Sequence, residues 1–327
     1  MSRSFAEVMG VPEFLHPHLD VIAGAKEQQL VVAIDEAGGK ATCGDLAERL
    51  GMSPEDTQEL IDRAFSLNLV HKVPEGDTTH YVNAMFTHRM SNMAIFQQET
   101  FDSLPEEVLD KYKEWDTENY CDRIRKSMAE GTLHGHVIVP IEHFIDYVDT
   151  CEGPIHVVPC DCRRIHKNCD KPVDACIAFA DSPNSKARRA PDQARELSRE
   201  EAKDRIRWLN RKGLVHAVNS NYQTDGLVHM CNCCSTCCYP LRAAEMMGLK
   251  GESVLTPYIA EHLIDQCSYC GACVRRCPFG AFYHDGAEVE YEGKTRKNVV
   301  YNPDNCWGCG VCATTCPTDA IALNERE

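Results

Sequence analysis

The stretch Cys267-Ser268-Tyr269-Cys270-Gly271-Ala272-Cys273-Val274-Arg275-Arg276-Cys277-Pro278 returns downstream as Cys306-Trp307-Gly308-Cys309-Gly310-Val311-Cys312-Ala313-Thr314-Thr315-Cys316-Pro317. Each copy spaces its first three Cys by two residues and then sets a fourth directly before Pro. A cube of iron and sulfide is held by four inward-pointing thiolates, and a tight loop with this spacing wraps three of them round one cluster. The fourth thiolate must come from elsewhere. Gly271 in the first copy, and Gly308 or Gly310 in the second, let the backbone approach inorganic sulfide closely enough for amides to hydrogen-bond it. Two other uses of Cys compete. Disulfides need an oxidising compartment, and zinc sites usually carry single Cys-x2-Cys pairs, not an unbroken run of four ending in Pro. The spacing therefore favours iron–sulfur clusters.

This repeat resembles the bacterial ferredoxins that hold two [4Fe-4S] clusters. The resemblance implies that the Cys before each Pro crosses to the other cluster. Cys267, Cys270, Cys273 and Cys316 are then expected to hold the first cubane, and Cys306, Cys309, Cys312 and Cys277 the second.

The 327 residues leave room for two or three domains, because single cores stop growing near roughly 150 to 250 residues. Hydrophobic content of 43% permits proper cores, and most of the twenty Cys fall in tight groups. The opening Met1-Ser2-Arg3-Ser4-Phe5-Ala6-Glu7 lacks the charged region and apolar run of a signal peptide. No apolar stretch approaches the length of a membrane span. A reducing cytoplasm, in an organism living without oxygen, is the expected compartment. The net charge of -16 argues against nucleic acid or an anionic membrane surface as the main partner. It suits docking to a basic patch on a redox partner protein, a flavoprotein or another oxidoreductase subunit.

The expected fold class is α+β. Residues 1–25 hold Pro12 and Pro17 and no clear periodicity, and read as an arm. Residues 26–90 read as a winged-helix-like domain: a helix from Lys26 to Glu36, a second capped by Thr42, a third opened by Ser53, and a hairpin turning between Pro74 and Thr78. The third helix, which would enter a DNA groove, carries Glu55, Asp56, Glu59 and Asp62 against Arg63. Residues 1–100 hold fifteen acidic and seven basic side chains, so a structural or partner-docking role is favoured over DNA reading. Residues 91–150 read as a helical connector; outside the Cys groups, Cys43 reads as a plain buried thiol and Cys121 and Cys151 as unliganded thiols. Residues 151–250 form a mixed α/β Cys-rich metal-binding domain, with a short helix from Glu245 to Leu249. Residues 251–327 form the two-[4Fe-4S] ferredoxin domain, with an extended hairpin joining residues 288–291 to 298–301.

In the middle domain Cys160, Cys162, Cys169 and Cys176 form one group, with Arg163 and Arg164 directly after the Cys-x-Cys. Cys231, Cys233, Cys234, Cys237 and Cys238 form another. Neither has ferredoxin spacing, so separate loops are expected to converge on shared metal. Adjacent members such as Cys233 and Cys234 point to opposite faces of a strand and are expected to serve different sites. One or two further iron–sulfur clusters are favoured over structural zinc, with the pairing of the nine Cys left open. The phrases Val-Val-Pro-Cys-Asp-Cys-Arg, Cys-Asp-Lys-Pro-Val-Asp-Ala-Cys and Met-Cys-Asn-Cys-Cys-Ser-Thr-Cys-Cys-Tyr-Pro-Leu-Arg, ahead of the ferredoxin repeat, resemble anaerobe 4Fe-4S dicluster ferredoxin-type proteins. That resemblance implies electron transfer, and no substrate. No Gly-x-Gly-x-x-Gly after a strand and no Walker loop is present, which argues against nucleotide or hydride chemistry in this chain. Two alternatives stand beside electron transfer. One is an oxidoreductase whose middle cluster has an open site, with His166 or His229 as acid or base; the other is a redox-sensing winged-helix regulator.

Overall fold

The computed structural model describes residues 3–133, 135–179, 182–220 and 229–326. The chain divides into two compact units, Met1–Glu118 with Val158–His166 and Ala180–Arg195, and Asn119–Val157 with Lys167–Phe179 and Glu196–Glu327.

The first unit is built on helices Ala25–Glu36, Cys43–Leu50 and Pro54–Ser66. Their starts follow the local chemistry: the Thr42 and Ser53 side chains accept from the amides of Asp45 and Asp56, satisfying donors that a helix start leaves bare. Leu30, Val31, Ile34, Leu46, Leu60 and Ile61 line the core on their inner faces. The antiparallel hairpin Val70–Glu75 with Thr78–Asn83 follows. It closes on the two residues Gly76-Asp77, tighter than the expected turn from Pro74 to Thr78, and Pro74 stays in the strand opposite Thr79. Val70–Glu75 has one strand partner, so a missing amide at Pro74 breaks no second ladder. The stretch read as an arm is folded into this core. Helix Phe5–Met9, a 3-10 turn Glu13–His18 and helix Leu19–Ile22 bury Phe5, Met9, Leu15 and Ile22. Pro12 and Pro17 cut these elements too short to show a period. Buried Arg89 donates from Nε to the Ile22 carbonyl at 2.7 Å and fixes them to helix Phe86–Phe96.

The second unit carries most of a seven-stranded sheet whose order is Arg195–Leu197, Ile155–Pro159, Asp174–Phe179, His229–Cys233, Val215–Asn219, His136–Ile138, Val254–Leu255. Strand His229–Cys233 runs antiparallel to both neighbours, with Met230 opposite Ile177 and Cys233 opposite Val215. Period-two alternation sorts its side chains. On one face Met230 and Val218 pack with Phe144 and Val148 of helix Ile141–Thr150 and Ile206 of helix Arg199–Arg211. On the other, Val215, Ala217, Cys231 and Cys233 pack with Leu241 and Ala244 and with Trp307, Cys309 and Val311. The helix expected over residues 245–249 is instead Tyr239–Met247: Pro240 sits in its first turn, where its missing amide costs nothing, and Gly248 ends it in the left-handed region.

The C-terminal part shows its internal repeat in the backbone. Strand Tyr258–His262, which leads into the first Cys run, pairs antiparallel with Ile321–Glu325, which leaves the second. Conversely, Phe282–Tyr283 after the first run pairs with Val300–Tyr301 before the second. This replaces the expected hairpin partner: Glu288–Tyr291 pairs with Lys294–Lys297 through Glu292 and Gly293, both at positive φ. A two-residue left-handed turn matches strand twist and closes the hairpin early, freeing Val300–Tyr301 for its other partner. Among the described residues no helix is long and apolar enough to cross a membrane.

Candidate metal centres

Each Cys-x2-Cys-x2-Cys loop wraps a small space. One space is lined by Cys267, Cys270, Cys273 and Cys316; the other by Cys306, Cys309, Cys312 and Cys277. The thiol before each Pro thus lines the space of the other copy. The backbone around them repeats as well. Amides two residues on reach Cys267 and Cys306 at 3.4 Å each, from Tyr269 and Gly308. Amides four residues on reach Cys277 and Cys316 at 3.2 Å each, from Ala281 and Ala320. To turn an amide back on its own loop, Tyr269 and Gly308 take φ of 51° and 63°. Gly308 is also required by space: a Cβ there would lie 2.0 Å from the Tyr258 carbonyl oxygen.

Burial pushes Cys273 up to about 11 and Cys309 up to about 12, and it raises Cys267 and Cys312. Such thiols ionise when a cation is there to bind them, and loading releases their protons. Four convergent thiols, amides aimed at sulfur, and walls of Phe282, Trp307, Val299 and Ile321 fit a [4Fe-4S] cluster in each space. The two spaces differ in exposure. Cys270 is exposed and Cys267 and Cys316 are half-buried, whereas Cys306, Cys309 and Cys312 are all buried.

The middle-domain thiols of the second unit sort into compact groups. Cys169, Cys234 and Cys237 have their sulfurs within 4.8 Å of one another. Cys238 lies 3.3 Å from Cys233, which also bonds Cys231. Both adjacent pairs, Cys233-Cys234 and Cys237-Cys238, are therefore split between groups. Thiol-to-thiol hydrogen bonding and burial raise Cys233, and the Cys234 contact followed by burial raises Cys237. Cys176 is buried on strand Asp174–Phe179. In the first unit Cys160 and Cys162 stand at the start of helix Asp161–His166. His166 is buried and His229 half-buried. Cys121 and Cys151 are buried, whereas Cys43, expected inside, is half-exposed and donates to the Pro54 carbonyl at 3.6 Å.

Sequence reasoning missed a buried polar string. His216, on the opposite sheet face from Cys231 and Cys233, bonds Asn232 through Nδ1 at 2.7 Å and Asn210 through Nε2 at 3.1 Å. The Asn232 amide nitrogen donates to the Ala175 carbonyl at 2.6 Å. Asn210 accepts from Thr314, between Cys312 and Cys316, at 2.9 Å. The signal was Asn232 between two Cys on a strand, where alternation forces it to the other face. Burial lowers His216 to about 4, so its ring is neutral in the folded chain. An unfolded His takes a proton near 6.5, so stability should fall as pH drops from about 6.5 towards about 4, by about 1.4 kcal/mol per unit. Denaturant unfolding of the wild type and of His216→Gln across that window checks this; the variant should lack that component.

Residues 266–320 match the family described as a 4Fe-4S dicluster domain. No curated protein and no solved structure matches the chain significantly. The C-terminal region is accordingly a 4Fe-4S dicluster domain, the kind of module that performs iron–sulfur electron transfer.

Proposed function

We propose that this protein is an iron–sulfur electron carrier exchanging electrons with a partner oxidoreductase, a flavoprotein or similar subunit, in anaerobic metabolism. The observation that carries the reading is the pair of four-thiol spaces with crossed ligands, Cys267, Cys270, Cys273 and Cys316 in one and Cys306, Cys309, Cys312 and Cys277 in the other. Bound clusters supply one-electron chemistry. The chain's own residues hold them, and amides such as those of Tyr269, Gly308, Ala281 and Ala320 stabilise charge on the thiolates and so raise the potential. The more exposed first space is the port for the partner. The second, packed through Cys309 and Trp307 against the sheet face that carries Cys231 and Cys233, is the inward station.

The first unit serves as a winged-helix-like docking module for protein and not for nucleic acid. On helix Pro54–Ser66 Glu55, Asp56, Glu59 and Asp62 are exposed, and Arg63 is engaged by Glu27 at 2.7 Å. That face repels phosphate and offers a basic partner its complement. The reading is tested by redox titration of the anaerobically purified chain: reversible uptake of electrons by two clusters is expected, and a chain without a reversible couple refutes it.

A further inference from the structure

We infer that Cys169, Cys234 and Cys237 hold a single tetrahedral metal ion of the zinc class, and not a corner set of an iron–sulfur cubane. The argument is one of spacing. A zinc ion about 2.3 Å from each of its sulfurs sets tetrahedral sulfurs about 3.8 Å apart. Cys169 lies 3.6 Å from Cys234 and 3.6 Å from Cys237, and all three sulfurs fall within 4.8 Å. In a cubane each thiolate extends outward from its own iron, so the sulfurs stand farther apart. The chain supplies its own comparison: no three of the dicluster thiols form such a compact group among the described residues.

The loops have the form such a site needs. Cys234-Ser235-Thr236-Cys237 is a Cys-x2-Cys turn, with the Cys238 amide closing back on the Cys234 carbonyl at 3.3 Å. Asn168 ties the second loop to it: its side-chain nitrogen donates to the Thr236 carbonyl at 3.1 Å, and its backbone amide bonds the Cys237 sulfur. The residue before the third ligand is thus clamped to the knuckle that carries the other two. Three thiolates fill three corners and favour a soft divalent ion, with the fourth corner left for a further donor. Such an ion would staple the loop at 168–169 to the loop at 234–237, beside the buried Cys233 and Cys238.

The test is metal analysis of the full-length chain purified without oxygen, with zinc-edge X-ray absorption on the same sample. About eight iron, about eight sulfide and at least one zinc per chain are expected, with a zinc shell dominated by sulfur near about 2.3 Å. The double variant Cys169→Ser with Cys234→Ser should lose about one zinc per chain and keep its iron. About twelve or sixteen iron without zinc, zinc unchanged in the double variant, or a zinc shell of nitrogen and oxygen alone would each overturn the inference. If the variant does not fold, the absorption shell of the wild type decides. This test is separable from the electron-carrier reading, whose own failure would show as iron well below eight.

Discussion

Replacing Cys270 and Cys316 together by Ala should cost the chain one cluster, while replacing Cys309 and Cys316 together should cost both. The expectation follows from the crossing of the fourth thiol. Cys316 follows the second Cys run in sequence, yet it lines the space of Cys267, Cys270 and Cys273. Removing it with Cys270 strips two ligands from the same site and leaves about four iron per chain. Removing it with Cys309 strips one ligand from each and leaves both clusters incomplete. If each run held its own four thiols, the outcomes would be reversed. Ala is the informative replacement, because a serine oxygen could still ligate. Iron and acid-labile sulfide on the two double variants read the result directly.

Gly308→Ala should be the most damaging single change outside the Cys themselves. Two costs add at this position. The backbone sits at φ 63°, where a side chain is strained, and the new Cβ would meet the Tyr258 carbonyl oxygen at 2.0 Å. That carbonyl belongs to strand Tyr258–His262, whose pairing with Ile321–Glu325 closes the domain, so relief of the clash must move the sheet or the loop. The Gly308 amide also reaches Cys306 at 3.4 Å, and a shifted loop loses that bond. A loss of about 4 kcal/mol or more is expected, together with loss of the second cluster. Gly280→Ala is the control. Gly280 has φ 67° with nothing near its Cβ, so only the backbone strain of about 1–2 kcal/mol should appear. Anaerobic denaturant unfolding with iron determination separates the two cases.

What the sequence disclosed, and what it hid, follows from the range of the interactions. The dicluster loops were legible because ligand spacing is local: Cys267 to Cys273 and Cys306 to Cys312 encode their own wrapping. Helix starts at Thr42 and Ser53 were legible for the same reason, since each caps an amide three residues away. The packed residues 5–22 were not, because Pro12 and Pro17 break them into pieces without a period and their burial depends on distant Arg89 and the core. The hairpin partner of Glu288–Tyr291 was misplaced because two stretches competed for it, and the Glu292-Gly293 turn decided. The grouping of the middle thiols was closed to sequence, since Cys169 meets Cys234 and Cys237 only through tertiary contact. Alternation did indicate that Cys233 and Cys234 part company, and the structure gives each different neighbours.

The central claim is that two [4Fe-4S] clusters sit side by side in the C-terminal domain and carry electrons. It is tested most directly by potentiometric titration of the anaerobically purified protein followed by electron paramagnetic resonance. The account predicts reversible uptake of two electrons per chain, with the fully reduced sample showing two spins whose spectra are split by mutual coupling. A chain that takes up no electrons reversibly, or shows one isolated spin at full reduction, would contradict it.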